Sequence, residues 1–244
     1  MRSGSTLLKA LLARAPDVSN LSEVNFQQFA GDRSDREKLW SLDSRRIIVL
    51  KRPAWYHEVG CYPRLPNISG MKVILLVRDV YDTVQSLRKM TFGRVANVMS
   101  PLVIGWLARN YWAGVNQRLV NLQRTLGDEA RLVRYEDLVG RPIDVTQELF
   151  KFIGSQQSTG VDNYEEPDNR RWHWGSDDSS PAIRSLQVQS PRIVNQSNAR
   201  LIRIIDATKK IAELRERLDY LPQSGAQNRT QDKSKSPDPF IPIP

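Results

Sequence analysis

The chain has a single cysteine, Cys61, and only two histidines, His57 and His173, among its 244 residues. One thiol excludes an intrachain disulfide framework and points to a reducing compartment, so a cytoplasmic protein is expected. These three side chains are too few for a Cys/His zinc site, and no metal is expected. Long apolar runs are also missing. The longest aliphatic ones, residues 47–50 and 73–77, fall far short of the roughly 20 residues that a membrane span needs. The apolar stretch at residues 7–12 is short and carries Lys9, which does not suit a signal peptide. No period of roughly 20–50 residues repeats, which excludes solenoids and propellers.

Acidic residues are scarce relative to basic ones: 27 against 36, a formal charge of +9. That surplus suits an anionic partner without choosing between nucleic acid, polyanion and phosphorylated cofactor. No aromatic-basic interleaving or known nucleic-acid module is present, so nucleic acid is not the expected partner. With 40% hydrophobic and 26% charged residues, the composition is that of an ordinary globular chain long enough to bury a core. A single domain over residues 1–220 is expected. From Leu221 onward Gln, Ser, Asn, Lys and five prolines replace any amphipathic period, so 221–244 reads as a disordered tail. Residues 155–181 are polar and irregular but contain Trp172 and Trp174, as a loop with something to bury or grip.

Between these stretches strand and helix signals alternate. Leu7, Leu8, Leu11 and Leu12 mark one face of a helix ending before Pro16. The runs at 47–50 and 72–77 are continuous and β-branched, as buried parallel strands should be. Val80, Val84 and Leu87 predict a helix directly after the second run, and residues 102–126 keep a three-to-four spacing throughout. Residues 131–135 form a third short strand. Pro142 opens a helix where a missing N–H costs nothing, and Gly154 closes it. A last helix falls within 199–218. The alternation predicts an α/β fold with a mostly parallel sheet.

Three segments could carry chemistry. In Arg2-Ser3-Gly4-Ser5-Thr6, small residues ahead of a helix let backbone N–H groups and the positive helix end converge on an anion. The same residues also make an ordinary N-cap. No Gly-Lys-Ser/Thr follows, so this is not a Walker loop. The second segment is the strand ending Arg78-Asp79. Arg78 falls at the ligand-facing edge of an open sheet, Asp79 is placed to cap the next helix, and an Arg–Asp surface pair is the alternative. Ser86, eight residues on, reaches the same edge if the chain loops before becoming helical. The third segment, Arg134-Tyr135-Glu136-Asp137-Leu138, reads alone as a strand, a turn and a helix start.

Taken in order, the three segments resemble the sulfotransferase family, over roughly Arg2 to Ile153 plus a closing Leu218-Asp219-Tyr220. The resemblance implies a phosphate-loop-containing, three-layer α/β/α fold. It further implies transfer of a sulfuryl group from PAPS (3′-phosphoadenosine 5′-phosphosulfate) to a hydroxyl of a carbohydrate or small-molecule acceptor. By the same likeness Arg2, Ser3, Gly4, Ser5 and Thr6 hold the 5′-phosphosulfate, Arg78 and Ser86 hold the 3′-phosphate, and Tyr135 lies near the cofactor. The step Lys51-Arg52-Pro53 is similar to the Lys-Thr-Pro step of the tyrosylprotein and carbohydrate branch. Lys51, with Arg2 assisting, would then stabilise charge on the leaving bridge oxygen.

The acceptor's proton needs a base. Glu23, after the Pro16-Asp17 turn, fits the Golgi and bacterial pattern, with an exposed helix-starting Glu as the alternative reading. His57 and His173 are rivals, and together with Trp172 they are candidates for lining the acceptor's entry. The family's loop follows a hydrophobic strand, whereas this sequence starts Met1-Arg2, so an N-terminally incomplete domain is expected. The rival class is a non-catalytic homologue, truncated or degraded, that keeps a nucleotide- or polyanion-binding groove.

Overall fold

In the computed structural model, which describes residues 3–21, 37, 40, 41, 43–51, 65, 70–92, 101–166, 181–189 and 199–220, the run at 73–77 forms a buried strand. In chain order the elements are α1 (Ser5–Leu12), β1 (Val73–Val77), α2 (Val80–Phe92), α3 (Pro101–Trp106), a π-helical segment (Leu107–Trp112), α4 (Ala113–Leu126), β2 (Ala130–Arg134), α5 (Tyr135–Gly140), α6 (Pro142–Ile153), α7 (Pro181–Arg184), α8 (Ala199–Asp206) and α9 (Lys209–Arg217). The two strands pair in parallel, Val73 opposite Ala130 and Val77 opposite Arg134.

Side chains alternate across a strand, and here the alternation divides the core. Val73, Leu75, Val77, Ala130 and Leu132 join an apolar cluster with residues of α2, the π-helical segment, α4, α8 and α9. Ile74, Leu76 and Val133 face the other way, into a cluster built on α1, α5 and α6. Both faces of the parallel pair are therefore covered by helices. This is why the strand reads as a continuous apolar run, and it gives the expected three-layer α/β/α arrangement.

Helix α1 is apolar on nearly every side, with Thr6 to Leu12 all buried, as befits a helix enclosed by its neighbours. Helix α6 starts at Pro142 and stops at Gly154, whose left-handed φ of 71° lets the last carbonyls be capped. Asp17, after α1, ties that helix end down. It accepts hydrogen bonds from Ser155 Oγ at 2.6 Å, the Gln156 N–H at 3.0 Å and Arg46 Nη2 at 2.9 Å.

Three expectations need correction. Residues 47–50 do not form a strand; Ile47 makes one parallel bridge with Val18. Its partner is the short turn after α1, and the Val49 N–H goes to a side chain of that turn, Ser19 Oγ, at 3.2 Å. The third strand ends at Arg134, and Tyr135 is already helical. The long helix expected over 102–126 is interrupted by the wider π turn at Leu107–Trp112. Among the described residues no helix is long and apolar enough to cross a membrane. The tail at 221–244 and both tryptophans of the polar loop lie outside them.

Candidate active site

Strand register builds the site. Because Val77 lies opposite Arg134, the next residue of each strand, Arg78 and Tyr135, leaves the sheet at the same carboxyl edge, where open α/β sheets place ligands. The guanidinium carbon of Arg78 lies 4.3 Å from the centroid of the Tyr135 ring, a cation–π contact. Tyr135 in turn covers the start of α1. A β-carbon on Gly4 would come within 2.3 Å of Tyr135 Cδ2 and 2.5 Å of Cε2. Gly4 has φ of 90°, a left-handed conformation that glycine adopts freely.

Helix α1 carries no acidic residue in its first turn and no side-chain cap. Its leading N–H groups, which have no partner within the helix, lie at the same edge as Arg78 and Tyr135, where Gly4 abuts the Tyr135 ring. Lys51 approaches from the segment beyond the Val18–Ile47 bridge, and its Nζ donates to Thr6 Oγ1 at 3.0 Å. Loop, lysine, arginine and tyrosine are thus adjacent although they span more than half of the chain.

Around this edge sits a set of buried polar contacts. Asp79 caps α2 by accepting the Tyr81 N–H at 3.2 Å, and it pairs with Arg215 of α9 at 3.0 Å rather than with Arg78. Arg78 instead lies 3.5 Å from Asp82, one helical turn on. The Asp79 N–H donates to Glu136 Oε1 at 3.0 Å, and Tyr220 donates its hydroxyl to Glu136 Oε2 at 2.8 Å. Trp112 Nε1–H donates to the Arg78 carbonyl oxygen at 2.8 Å. Burial pushes the carboxyls of Asp79 and Glu136 above the usual carboxylate range, against the pull of Arg215 on the first and of the Asp79 N–H on the second. Burial, reinforced by Glu136, also raises the Tyr220 phenol and keeps it a donor.

Of the residues singled out from the sequence, Ser3, Gly4, Ser5, Thr6, Lys51, Arg78 and Tyr135 lie around this edge. Ser86 is half-buried inside α2, which starts at Val80 with no loop before it. Arg78, Asp82 and Ser86 consequently follow one another at four-residue steps. Arg2, Glu23, His57, Trp172 and His173 lie outside the described residues. Sequence reasoning missed Trp112, Glu136 and Arg215, which touch the site's backbone or its capping aspartate. Among the described residues no cluster of His, Cys, Asp and Glu could hold a metal ion.

Residues 44–158, just under half of the chain, match the model of the sulfotransferase family. Among solved structures, the sulfotransferase domain from the curacin biosynthetic pathway aligns at 19% identity and a TM-score of 0.48, over 91% of this chain and 95% of that one. No curated protein matches the chain. The family match takes in Lys51, Arg78, Ser86 and Tyr135.

Proposed function

We propose that the protein transfers a sulfuryl group from PAPS to a hydroxyl of a carbohydrate or small-molecule acceptor. One observation carries the reading: residues 3–6, Arg78 and Tyr135, far apart in sequence, meet with Lys51 at a single sheet edge. The donor set suits a nucleotide with two anionic ends. The α1 N–H groups and the hydroxyls of Ser5 and Thr6, with Ser3 and Arg2, would hold the 5′-phosphosulfate, and no carboxylate in the first turn opposes them. Arg78 would hold the 3′-phosphate, exchanging Asp82 for a partner with which a guanidinium makes two parallel hydrogen bonds. Tyr135 would form the floor between the two ends.

In the transfer, the bond from sulfur to the phosphate's bridging oxygen breaks as the acceptor oxygen bonds to sulfur. Negative charge grows on the departing bisphosphate, and Lys51, with Arg2 assisting, is the cation proposed to meet it. The acceptor's proton passes to a base, for which Glu23 is proposed from its position after the Pro16-Asp17 turn. His57, Trp172 and His173 are proposed to line the acceptor's approach. We further take the chain to act in the cytoplasm, as a single domain over 1–220 with 221–244 as a tail.

The test is calorimetry with the bisphosphate product. Arg78→Ala is expected to weaken binding by about 2 kcal/mol or more, the loss of a charged hydrogen-bond partner. Unchanged affinity removes Arg78 from the site and the reading with it.

A further inference from the structure

The peptide group that joins Arg78 to Asp79 belongs to neither neighbouring element, since β1 ends at Val77 and α2 starts at Val80. It is nevertheless held on both sides by distant side chains. Its carbonyl oxygen accepts Trp112 Nε1–H at 2.8 Å, and its N–H donates to Glu136 Oε1 at 3.0 Å. A third, weaker contact comes from Thr83 Oγ1 to the same carbonyl at 3.4 Å.

Each holder is itself fixed. Trp112 ends the π-helical segment and is 1% exposed. Glu136 is anchored through its second oxygen by Tyr220. The following side chain, Asp79, is locked by Arg215, which is 6% exposed and lies 4.7 Å from the Tyr81 ring centroid. A side chain as long as arginine amplifies any rotation of its own backbone. A peptide plane free to turn between strand and helix would sweep the guanidinium away from Tyr135.

We propose that Trp112 and Glu136 are positioning residues: by fixing the Arg78–Asp79 peptide plane they aim the Arg78 guanidinium. They thereby set how strongly the site prefers a nucleotide with a 3′-phosphate over one without it. This rests on the reading that Arg78 binds that phosphate. Neither side chain touches the ligand; both act through Arg78. Sites of this precision depend on such supporting contacts as much as on the contacting group.

The experiment measures, by calorimetry on the full chain, the affinities for adenosine 3′,5′-bisphosphate and adenosine 5′-monophosphate, and takes their ratio. Trp112→Phe keeps a buried, though smaller, ring and removes the N–H, and any cost of the lost volume should fall on both ligands alike. Glu136→Ala removes the acceptor, whereas Glu136→Gln removes the charge but keeps an oxygen for the Asp79 N–H. Trp112→Phe and Glu136→Ala should each lower the ratio about tenfold, the scale of one hydrogen bond, with monophosphate affinity nearly unchanged. Glu136→Gln should restore the ratio. A merely structural role would weaken both ligands alike and leave the ratio where it was. Arg78→Ala separates the two levels of the argument. If it abolishes the preference while Trp112→Phe and Glu136→Ala keep it, the positioning role is overturned. If Arg78→Ala itself keeps the preference, the underlying assignment of Arg78 fails instead. Should Trp112→Phe not fold, the Glu136 pair decides alone.

Discussion

Lys51 Nζ and Thr6 Oγ1 lie 3.0 Å apart, joining the start of α1 to a segment 45 residues away. The contact holds the ammonium beside the start of α1, where a transferring group's charge would develop. Lys51→Ala is therefore expected to lower kcat by about 10²–10³, the usual cost of removing a preorganised charge-stabilising donor. Binding of the bisphosphate should change little by comparison. Kinetics in which only the apparent KM for PAPS moved would make Lys51 a binding residue.

Gly4 meets two separate obstacles to substitution. Its φ of 90° disfavours any β-carbon, and the added carbon would sit 2.3 Å from Tyr135 Cδ2. Gly4→Ala should destabilise the fold by about 1–3 kcal/mol for the backbone strain alone. At roughly 2–4 °C per kcal/mol for a chain of this size, a thermal melt reads it directly. Adding Tyr135→Ala should relieve the clash but not the strain, so the double variant recovers only part of the loss relative to Tyr135→Ala alone. A Gly4→Ala protein with an unchanged melt would contradict this packing.

Asp17 gives a pH-dependent prediction. Burial alone would raise its carboxyl, but hydrogen bonds from Ser155, Arg46 and the Gln156 N–H outweigh it and bring the pKa from the ordinary 3.8 down to about 2. A depressed folded-state pKa means that the stabilisation is full above the ordinary value and is lost as pH falls through the folded one. Asp17→Asn should lower stability by about 1–3 kcal/mol near neutrality. That deficit should shrink as the pH drops from roughly 4 toward 2. A gap between the two melts that does not change over that range would show that the charge of Asp17 contributes nothing.

Glu23 is open to a direct comparison with the two histidines. Glu23→Gln should reduce turnover by about two to four decades, as losing a general base does, while bisphosphate binding stays intact. Equal turnover in Glu23→Gln, with collapse in His57→Ala or His173→Ala, would move the base to a histidine.

The sequence reveals pieces of this site but not their meeting. The run at 73–77 is legible as a buried strand because both of its faces are apolar, and Arg78 at its end follows at once. The adjacency of Arg78 and Tyr135 depends on the register of Val77 with Arg134, which neither strand encodes alone. Trp112 was hidden by the helical stripe itself. Leu107, Tyr111, Val115 and Leu119 advance by four residues, a step that drifts by about 40° on a straight helix of 3.6 residues per turn. The π turn absorbs part of that drift and brings Trp112 inward beside Tyr111. Glu136 and Tyr220 are 84 residues apart, and Asp79 and Arg215 are 136 apart. Buried polar partners at such separations carry no local periodicity to read.

The most direct test of the account is transfer itself: the full chain incubated with PAPS radiolabelled in its sulfuryl group and a panel of carbohydrate and small-molecule hydroxyl acceptors. The account predicts label on at least one acceptor, formation of the bisphosphate in equal amount, and loss of both in Lys51→Ala. Tight bisphosphate binding with no label transferred to any acceptor would contradict it and leave a nucleotide-binding homologue without turnover.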